Sequence, residues 1–216
     1  GNHELMNARV DLRYVTDGGF ADFMDTVEYE PGDSLKVWDR SSGTFRTAIL
    51  AEFEPHQRDR VAAFMPGGPY ANLLAERQVI LQLGENVFVH GGVLPEHVAY
   101  GIDEINSSAQ AWLRGEADLP SVLSGSDSPQ WTRLYSDDPD SSACSVLEEA
   151  LNALEAKRIV MGHTIQESGI ASACGGQAWR VDIGMAEYYA SRTEYGGSVA
   201  VLEIVGDSVR VLKDDG

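Results

Sequence analysis

The stretch VILQLGENVFVHGG, at residues 79–92, determines the fold class of this 216-residue chain. Two short apolar runs, at residues 79–83 and 86–89, flank Gly84-Glu85, which is the pattern of two strands joined by a tight turn. The second run leads directly into His90 and two glycines. A polar side chain at a strand end, beside glycines that let a ligand approach the backbone, is typical of ligand sites in α/β proteins.

The same pattern recurs further along the chain. Residues 145–156 have the apolar spacing of an amphipathic helix, and the apolar strand predicted at 158–161 ends at Gly162-His163. A further strand is predicted at residues 179–184. A terminal hairpin is predicted from arms at residues 199–205 and 209–212, which Gly206-Asp207 joins.

The chain before residue 79 has weaker signals. Apolar residues at helical spacing predict a helix at residues 5–15, whereas residues 17–47 are mixed and contain turn signals. Further helical segments are predicted at 20–27, 47–65, 70–76 and 95–114, and residues 115–142 are expected to be mostly loop. We therefore expect an α/β fold in one domain, residues 1–216, with residues 16–75 as a candidate cap or insertion.

Composition excludes several classes of function. The formal net charge is −18, which argues against a nucleic-acid partner and against an anionic membrane surface. The longest apolar runs are far shorter than the 18 residues of a membrane span, so no membrane span is expected.

Cys144 and Cys174 could pair, but two cysteines do not define a disulfide framework. We expect a soluble protein whose compartment stays open, with the cytoplasm favoured over the periplasm.

Three of the five histidines share one local pattern. His3, His90 and His163 each lie beside or near glycine, and the last two follow apolar strands. One such histidine is usually a polar strand end, but three that converge could surround one metal ion. His56 and His97 lack this pattern and are interpreted as surface or hydrogen-bonded polar residues.

The chain resembles the calcineurin-like metallophosphoesterases. Three segments occur in that family's order and approximate spacing: Gly1-Asn2-His3-Glu4, Val89-His90-Gly91-Gly92 and Met161-Gly162-His163-Thr164. Within the superfamily the chain looks most similar to the Shewanella-like protein phosphatases, on residues 1–15, 90–95, 131–133, 162–166 and 181–185. The resemblance implies two packed mixed β-sheets flanked by helices, truncated at the N-terminal end in this chain.

The resemblance also implies roles for particular residues. Asn2, His90 and His163 match ligands of the second of two divalent metal ions, which would be Mn, Fe or Zn. His3 matches the histidine that protonates the leaving oxygen, and Arg133 matches an arginine that holds the substrate phosphate. The implied reaction is hydrolysis of a phosphomonoester in a phosphorylated protein, on Ser, Thr or Tyr, or in a small molecule.

Two other functions remain open on the sequence alone. The same motifs occur in nucleotide or dinucleotide polyphosphate hydrolases, and a non-catalytic member could bind phosphoproteins. Supporting residues are equally open: Asp182 could orient a histidine or stabilise a turn, and Glu4 could orient Asn2 or favour the helix start. Arg9 and Arg13 could face a phosphate or form structural ion pairs.

The sequence departs from the family in one respect. The motifs Gly-Asp-x-His and Gly-Asp-x-x-Asp-Arg-Gly, which supply the first metal's ligands and the bridging aspartate, are absent from the chain. We therefore expect the natural protein to continue upstream of Gly1. At most one metal site would be largely present here, and the isolated chain should have weak or no activity.

Overall fold

The computed structural model describes residues 1–39, 41–186, 189 and 199–213. It divides the chain into two compact units. The first unit comprises Gly1–Gln78 and Asn106–Pro120, and the second comprises Val79–Ile105 and Ser121–Gly216. Both units mix helices with strands, so the α/β class expected from the sequence is confirmed.

The helices and strands alternate irregularly along the chain. The α-helices are α1 (Asn2–Ala8), α2 (Asp17–Ala21), α3 (Pro55–Phe64), α4 (Pro69–Leu74), α5 (Pro95–Tyr100), α6 (Ile102–Leu113) and α7 (Ser141–Ala153). The strands are β1 (Ser34–Asp39), β2 (Thr44–Ile49), β3 (Ile80–Leu83), β4 (Asn86–Val89), β5 (Arg158–Met161), β6 (Ala171–Ala173), β7 (Ala178–Arg180), β8 (Ala200–Val205) and β9 (Ser208–Lys213). Within the described residues, no helix has both the length and the apolar character needed to cross a bilayer.

The first unit contains a hairpin that the sequence patterns did not predict. β1 and β2 pair antiparallel, and Leu35 and Val37 of β1 turn inward while Lys36 between them faces solvent. These inward side chains join an apolar cluster with Leu50 and Val61. The prediction of a helix over residues 47–65 was therefore wrong at its start.

Helix boundaries in the first unit follow local backbone rules. α1 stops at Ala8 rather than continuing to residue 15, because Val10 adopts a left-handed conformation with φ of 61°. Thr16 caps α2, since its hydroxyl accepts a hydrogen bond from the Gly19 N–H. α3 begins at Pro55, whose fixed φ suits the first turn of a helix.

The second unit is built on a five-stranded sheet of order β3-β4-β5-β7-β6. Its three central strands, β4, β5 and β7, run parallel, whereas β3 and β6 pair antiparallel at the two edges. Val87, Ile159 and Met161 are fully buried in this sheet. The strands predicted at 79–83, 86–89 and 158–161 are confirmed to within one residue.

The remainder of the second unit partly follows the predictions. The strand predicted at 179–184 ends at Arg180, although the Val181 N–H still donates to the Met161 carbonyl of β5 at 2.9 Å. α7 starts before residue 145 because the Asp140 side chain caps it. Cys144 and Cys174 form a disulfide. β8 and β9 form the predicted terminal hairpin.

Candidate functional site

Two parallel strands bring His90 and His163 to one edge of the five-stranded sheet. Val89 and Met161, the last residues of β4 and β5, are directly paired. His90 follows its strand at once and His163 follows after Gly162, whose N–H donates to the His90 carbonyl at 3.0 Å. Carboxyl ends of parallel strands meet at the same edge, so the two imidazoles start from adjacent positions.

The two imidazole rings contact each other through defined nitrogen atoms. His163 Nδ1 lies 3.1 Å from His90 Nε2, and the ring centroids are 4.9 Å apart. His163 Nε2 lies 3.1 Å from the carbonyl oxygen of Trp131. Because a carbonyl can only accept, Nε2 of His163 carries the hydrogen in this contact, and in a neutral ring with that tautomer the Nδ1 lone pair would point toward His90.

This arrangement fits two ligands of one divalent ion. Two nitrogens bonded to an ion at about 2.1 Å each are separated by about 3.0 Å at an octahedral ion and by about 3.4 Å at a tetrahedral one. A histidine ligand usually donates its other ring N–H to a carbonyl or carboxylate, as His163 does to Trp131. Imidazoles suit Zn, Fe and related borderline ions. Among the described residues, no cluster of three or more His, Cys, Asp and Glu side chains is placed to bind a metal ion.

His163 also has an unusual backbone conformation. Its φ is 67°, in the left-handed region, which is uncommon for residues other than glycine although asparagine, aspartate and histidine adopt it more often than the rest. Such a conformation costs on the order of 1 kcal/mol and is commonly found at ligand sites. The residue is 9% exposed, so protein atoms rather than water surround most of it.

A tight loop packs over His90 and positions the Trp131 carbonyl. The N–H groups of Gly91 and Gly92 donate to the Pro129 carbonyl at 2.8 and 3.1 Å. A Cβ atom on Gly91 would lie 2.8 Å from the carbonyl oxygen of Thr132, so a larger residue would displace the loop. The glycines after His90 therefore allow the loop to approach closely enough for its carbonyl to reach His163.

Arg133 continues this loop and contacts the residue after His163. Its Nη1 donates to the His163 carbonyl at 2.7 Å and to the Thr164 hydroxyl at 2.6 Å. The Thr164 hydroxyl also lies 2.6 Å from that of Ser136. Arg133 is exposed, and a guanidinium has five N–H donors, so the two bonds from Nη1 leave its Nε and Nη2 donors for other contacts.

Asp182 lies near the same strand ends. A Cβ atom on Gly162 would be 3.8 Å from the Asp182 Cβ and 3.9 Å from His90 Nδ1. The Asp182 carboxylate accepts a hydrogen bond from the Gly184 N–H at 3.1 Å, and its backbone carbonyl accepts from the Gln166 N–H. These contacts support the turn-stabilising role that the sequence left open.

The first unit carries the other two predicted site residues on α1. Asn2 is buried, while His3 is exposed and stacks on Tyr14 with ring centroids 5.3 Å apart. The Asn7 side chain donates to the His3 carbonyl at 2.8 Å. The structure thus brings His90, His163 and Arg133 together in one unit and places Asn2 and His3 side by side in the other.

The remaining charged residues of this region have structural contacts. The Arg9 guanidinium lies 4.3 Å from the Trp38 ring centroid, and burial lowers its pKa. Arg13 forms an ion pair with Asp11 at 3.1 Å.

In the second unit His97 is buried and its Nδ1 accepts a hydrogen bond from the Leu94 N–H at 3.0 Å, which confirms its interpretation as a hydrogen-bonded polar residue.

Sequence reasoning missed two contributors to these sites. The Trp131 carbonyl is a backbone group, and no side-chain pattern indicates where a carbonyl will point. Arg60 on α3 donates from Nε to the Asn7 side chain at 2.8 Å, 53 residues away in the chain. Its helix has a weakly patterned sequence, so only the tertiary structure shows that it packs against the helix of His3.

No protein-family model matches the chain. Among curated relatives, it is 35% identical over 98% of its length to "Shewanella-like protein phosphatase 2" of Arabidopsis thaliana, and covers 58% of that protein. It is 28% identical over 94% of its length to an uncharacterized protein of Schizosaccharomyces pombe, and covers 53% of it. The chain thus spans between half and three-fifths of the length of these relatives.

Solved structures give a matching fold. The cold-active protein-tyrosine phosphatase of a psychrophilic Shewanella species superposes with a TM-score of 0.58 at 21% sequence identity. The superposition covers 94% of this chain and 51% of that one. At this level of identity the match supports the fold alone, namely a mixed α/β arrangement that corresponds to about half of the phosphatase structure.

Proposed function

Since this chain is a homologue of the Shewanella-like protein phosphatases, we propose that the protein hydrolyses phosphomonoesters, with phosphorylated Ser, Thr or Tyr side chains of proteins as substrates. The observation that carries the proposal is the pair His90–His163, with facing nitrogens 3.1 Å apart and the outer nitrogen of His163 held by a carbonyl. A pair of imidazoles whose nitrogens face each other in this way is suited to a divalent cation.

The proposed metal ligands in this chain are His90 through Nε2, His163 through Nδ1 and Asn2 through its amide oxygen. Divalent ions such as Mn, Fe or Zn would polarise the phosphoryl group and lower the pKa of water at this site. They would also offset the net charge of −18, which repels an anionic substrate.

Two further residues act on the substrate itself in this proposal. Arg133, anchored through Nη1 on the His163 carbonyl and the Thr164 hydroxyl, presents its remaining N–H groups to the phosphate oxygens. His3, exposed on α1 and stacked on Tyr14, delivers a proton to the leaving oxygen. Both roles follow the family resemblance residue by residue.

The isolated chain would hydrolyse phosphomonoesters slowly. Asn2, His90 and His163 are all neutral ligands, and the aspartate motifs that bridge two ions are absent from this sequence. We also propose that the five-stranded sheet is one of two packed sheets in the whole protein, as in the calcineurin-like fold. The superposition on a phosphatase structure supports this second proposal at the level of the fold.

A leaving-group comparison tests the function. The full-length protein, supplied with Mn²⁺, would be assayed on p-nitrophenyl phosphate, on a phosphoserine peptide and on a dinucleotide polyphosphate. We expect hydrolysis of the two monoesters and a loss of activity with a chelator. A strong preference for the dinucleotide would instead support a polyphosphate hydrolase, and phosphopeptide binding without hydrolysis would support a non-catalytic member.

The variant His3→Asn tests the proton donor in the same assay. Loss of a general acid should lower kcat by about 10²–10⁴-fold on phosphoserine, whose alkoxide leaving group needs a proton. The loss should be much smaller on p-nitrophenyl phosphate, because nitrophenolate leaves without one. His56→Asn, an exposed histidine in the same unit, is the control. An equal loss on both substrates would contradict the assignment of His3.

A further inference from the structure

A hydrogen-bond network that the proposed reaction does not use lies beside Arg133, entirely within the second unit. The Thr164 hydroxyl accepts a hydrogen bond from Arg133 Nη1 and lies 2.6 Å from the Ser136 hydroxyl. The Gln166 side chain donates to the backbone carbonyls of Ser136 and Thr164 at 3.0 and 2.9 Å. The segment that follows His163 is therefore fastened to the loop that carries Arg133 by several side chains.

Ser136 is the buried member of this network. Its N–H donates to the Arg133 carbonyl at 3.1 Å, so a tight turn joins the two residues. Ser136 is 1% exposed, and in the described part of the chain its hydroxyl has the Thr164 hydroxyl as its one hydrogen-bond partner. A buried hydroxyl without a partner is costly, so this contact holds the Thr164 oxygen in place.

The Arg133 side chain is exposed, so burial does not order it. An arginine that is free in water samples many rotamers, and ordering it on binding opposes affinity. Among the described residues, the guanidinium donates to two acceptors, and both bonds come from Nη1. They are the His163 carbonyl at 2.7 Å and the Thr164 hydroxyl at 2.6 Å.

The two acceptors together set the plane of the guanidinium. Both hydrogens of Nη1 lie in that plane, because the group is planar and delocalised. One acceptor alone would let the guanidinium rotate about a single hydrogen bond, whereas two acceptors, with one hydrogen for each, fix the plane. The Nε and Nη2 donors of Arg133 then keep a constant orientation, and this pair is suited to two parallel hydrogen bonds with a phosphate.

We propose that Thr164 is a positioning residue: its hydroxyl, held by Ser136, fixes the guanidinium plane of Arg133 so that the Nε and Nη2 donors are oriented before a phosphate group binds. The proposal rests on the function above for the identity of the ligand. Thr164 adds no charge and acts on the ligand through Arg133. Such preorganisation raises affinity because less freedom is lost on binding.

Nuclear magnetic resonance of the Arg133 Nε–H group tests the positioning without substrate or metal. In the full-length protein we expect a rigid group, with an order parameter of about 0.8, and a fall below about 0.6 in Thr164→Val. Valine keeps the branched shape of threonine and removes the hydroxyl. Thr164→Ser keeps the hydroxyl and should retain the wild-type order parameter. Arg133→Lys, which has no guanidinium, identifies the signal.

Calorimetric titration with inorganic phosphate, which binds without reacting, measures the consequence for binding. With Mn²⁺ present, Thr164→Val should weaken the phosphate affinity about 10-fold, whereas Thr164→Ser should stay within about twofold of the wild type. In an Arg133→Ala background, Thr164→Val should change the affinity by no more than about twofold, because Thr164 acts through the guanidinium.

Ser136→Ala is a second variant that leaves Thr164 in place and keeps the test valid if Thr164→Val does not fold. It releases the Thr164 hydroxyl, so both the order parameter and the phosphate affinity should fall, by less than in Thr164→Val. Urea denaturation identifies the folded variants, and Mn²⁺ titration of Thr164→Val should give the wild-type metal affinity.

The outcomes separate positioning from the reaction. An unchanged Arg133 order parameter in the folded variants Thr164→Val and Ser136→Ala would overturn the proposal. So would an equal loss of phosphate affinity from Thr164→Val with and without the Arg133 guanidinium, because it would show a structural effect. If the expected order parameters and affinities are found but no phosphomonoester is hydrolysed, positioning is supported and the proposed reaction alone is contradicted.

Discussion

The two units place their functional residues by different means. In the second unit, His90 and His163 follow two adjacent parallel strands, whose register brings them to neighbouring positions. In the first unit, His3 and Arg60 lie on separate helices and meet through packing and the side chain of Asn7. A site at the ends of parallel strands can therefore be predicted from the sequence pattern. A site formed by packed helices can be identified only in the folded structure.

The largest expected effect concerns the strand-end site. His163→Ala removes one of the two imidazoles and should weaken binding of Mn²⁺ or Zn²⁺ by about 100-fold or more, since even outer-shell partners change metal affinity by 10–100-fold. Isothermal titration with the metal alone measures this. The control is His56→Ala in the first unit, where we expect no change. Equal metal affinity in the His163 variant and the wild type would remove the basis for a strand-end metal site.

Much of the strand-end site could be predicted from sequence. The runs at 86–89 and 158–161 are continuous and apolar, so both strands were predicted correctly, and with them the position of the histidines just beyond the strand ends. β1 and β2 were missed because the alternation of inward and exposed residues that indicates a strand is short in β1, at Leu35, Lys36 and Val37, and incomplete in β2. The Trp131 carbonyl and the Asn7–Arg60 contact depend on tertiary packing, which short-range patterns do not encode.

The second prediction tests whether the loop over His90 is fixed by close backbone contact. Gly91→Ala places a Cβ 2.8 Å from the Thr132 carbonyl and should lower the free energy of unfolding by about 1–3 kcal/mol. Gly162→Ala is the matched control, because its Cβ would lie no closer than 3.8 Å to a neighbour. Urea denaturation of both variants measures the difference. Similar losses in the two variants would show that the loop does not need its close approach.

The third prediction uses the pH dependence of the second unit. Tyr135 is fully buried, its hydroxyl donates to the Val93 carbonyl at 3.1 Å, and burial raises its pKa. The unfolded phenol loses its proton above about pH 10 while the folded one retains it. This residue's effect on stability is therefore constant below pH 10. Above it, the free energy of unfolding should fall by up to about 1.4 kcal/mol per pH unit.

Tyr135→Phe should lack this alkaline loss, although it forfeits about 1 kcal/mol at pH 7 with the hydrogen bond. Chemical denaturation at pH 7, 10 and 11 compares the two proteins, whose other tyrosines are identical. If both lose stability in parallel above pH 10, Tyr135 is ionising freely and is less buried than the structure indicates.

The smallest effect is expected at the surface of the first unit. Lys36 on β1 forms an exposed ion pair with Asp118. Exposed pairs contribute little because water screens them and the long side chains lose freedom. Asp118→Asn should therefore change the melting temperature by no more than about 2 °C in a thermal scan. A shift as large as that of Gly91→Ala would mean that the hairpin depends on this pair rather than on its inward side chains.

The central claim is that His90 and His163 bind one ion together. Anomalous diffraction from crystals of the protein grown with Zn²⁺ tests it most directly, because the absorption edge locates the ion without reference to any assumed ligand. We expect an ion about 2.1 Å from both His90 Nε2 and His163 Nδ1, with the Trp131 carbonyl still hydrogen-bonded to His163 Nε2. An ion bound elsewhere, with the two imidazoles hydrogen-bonded only to each other, would contradict it.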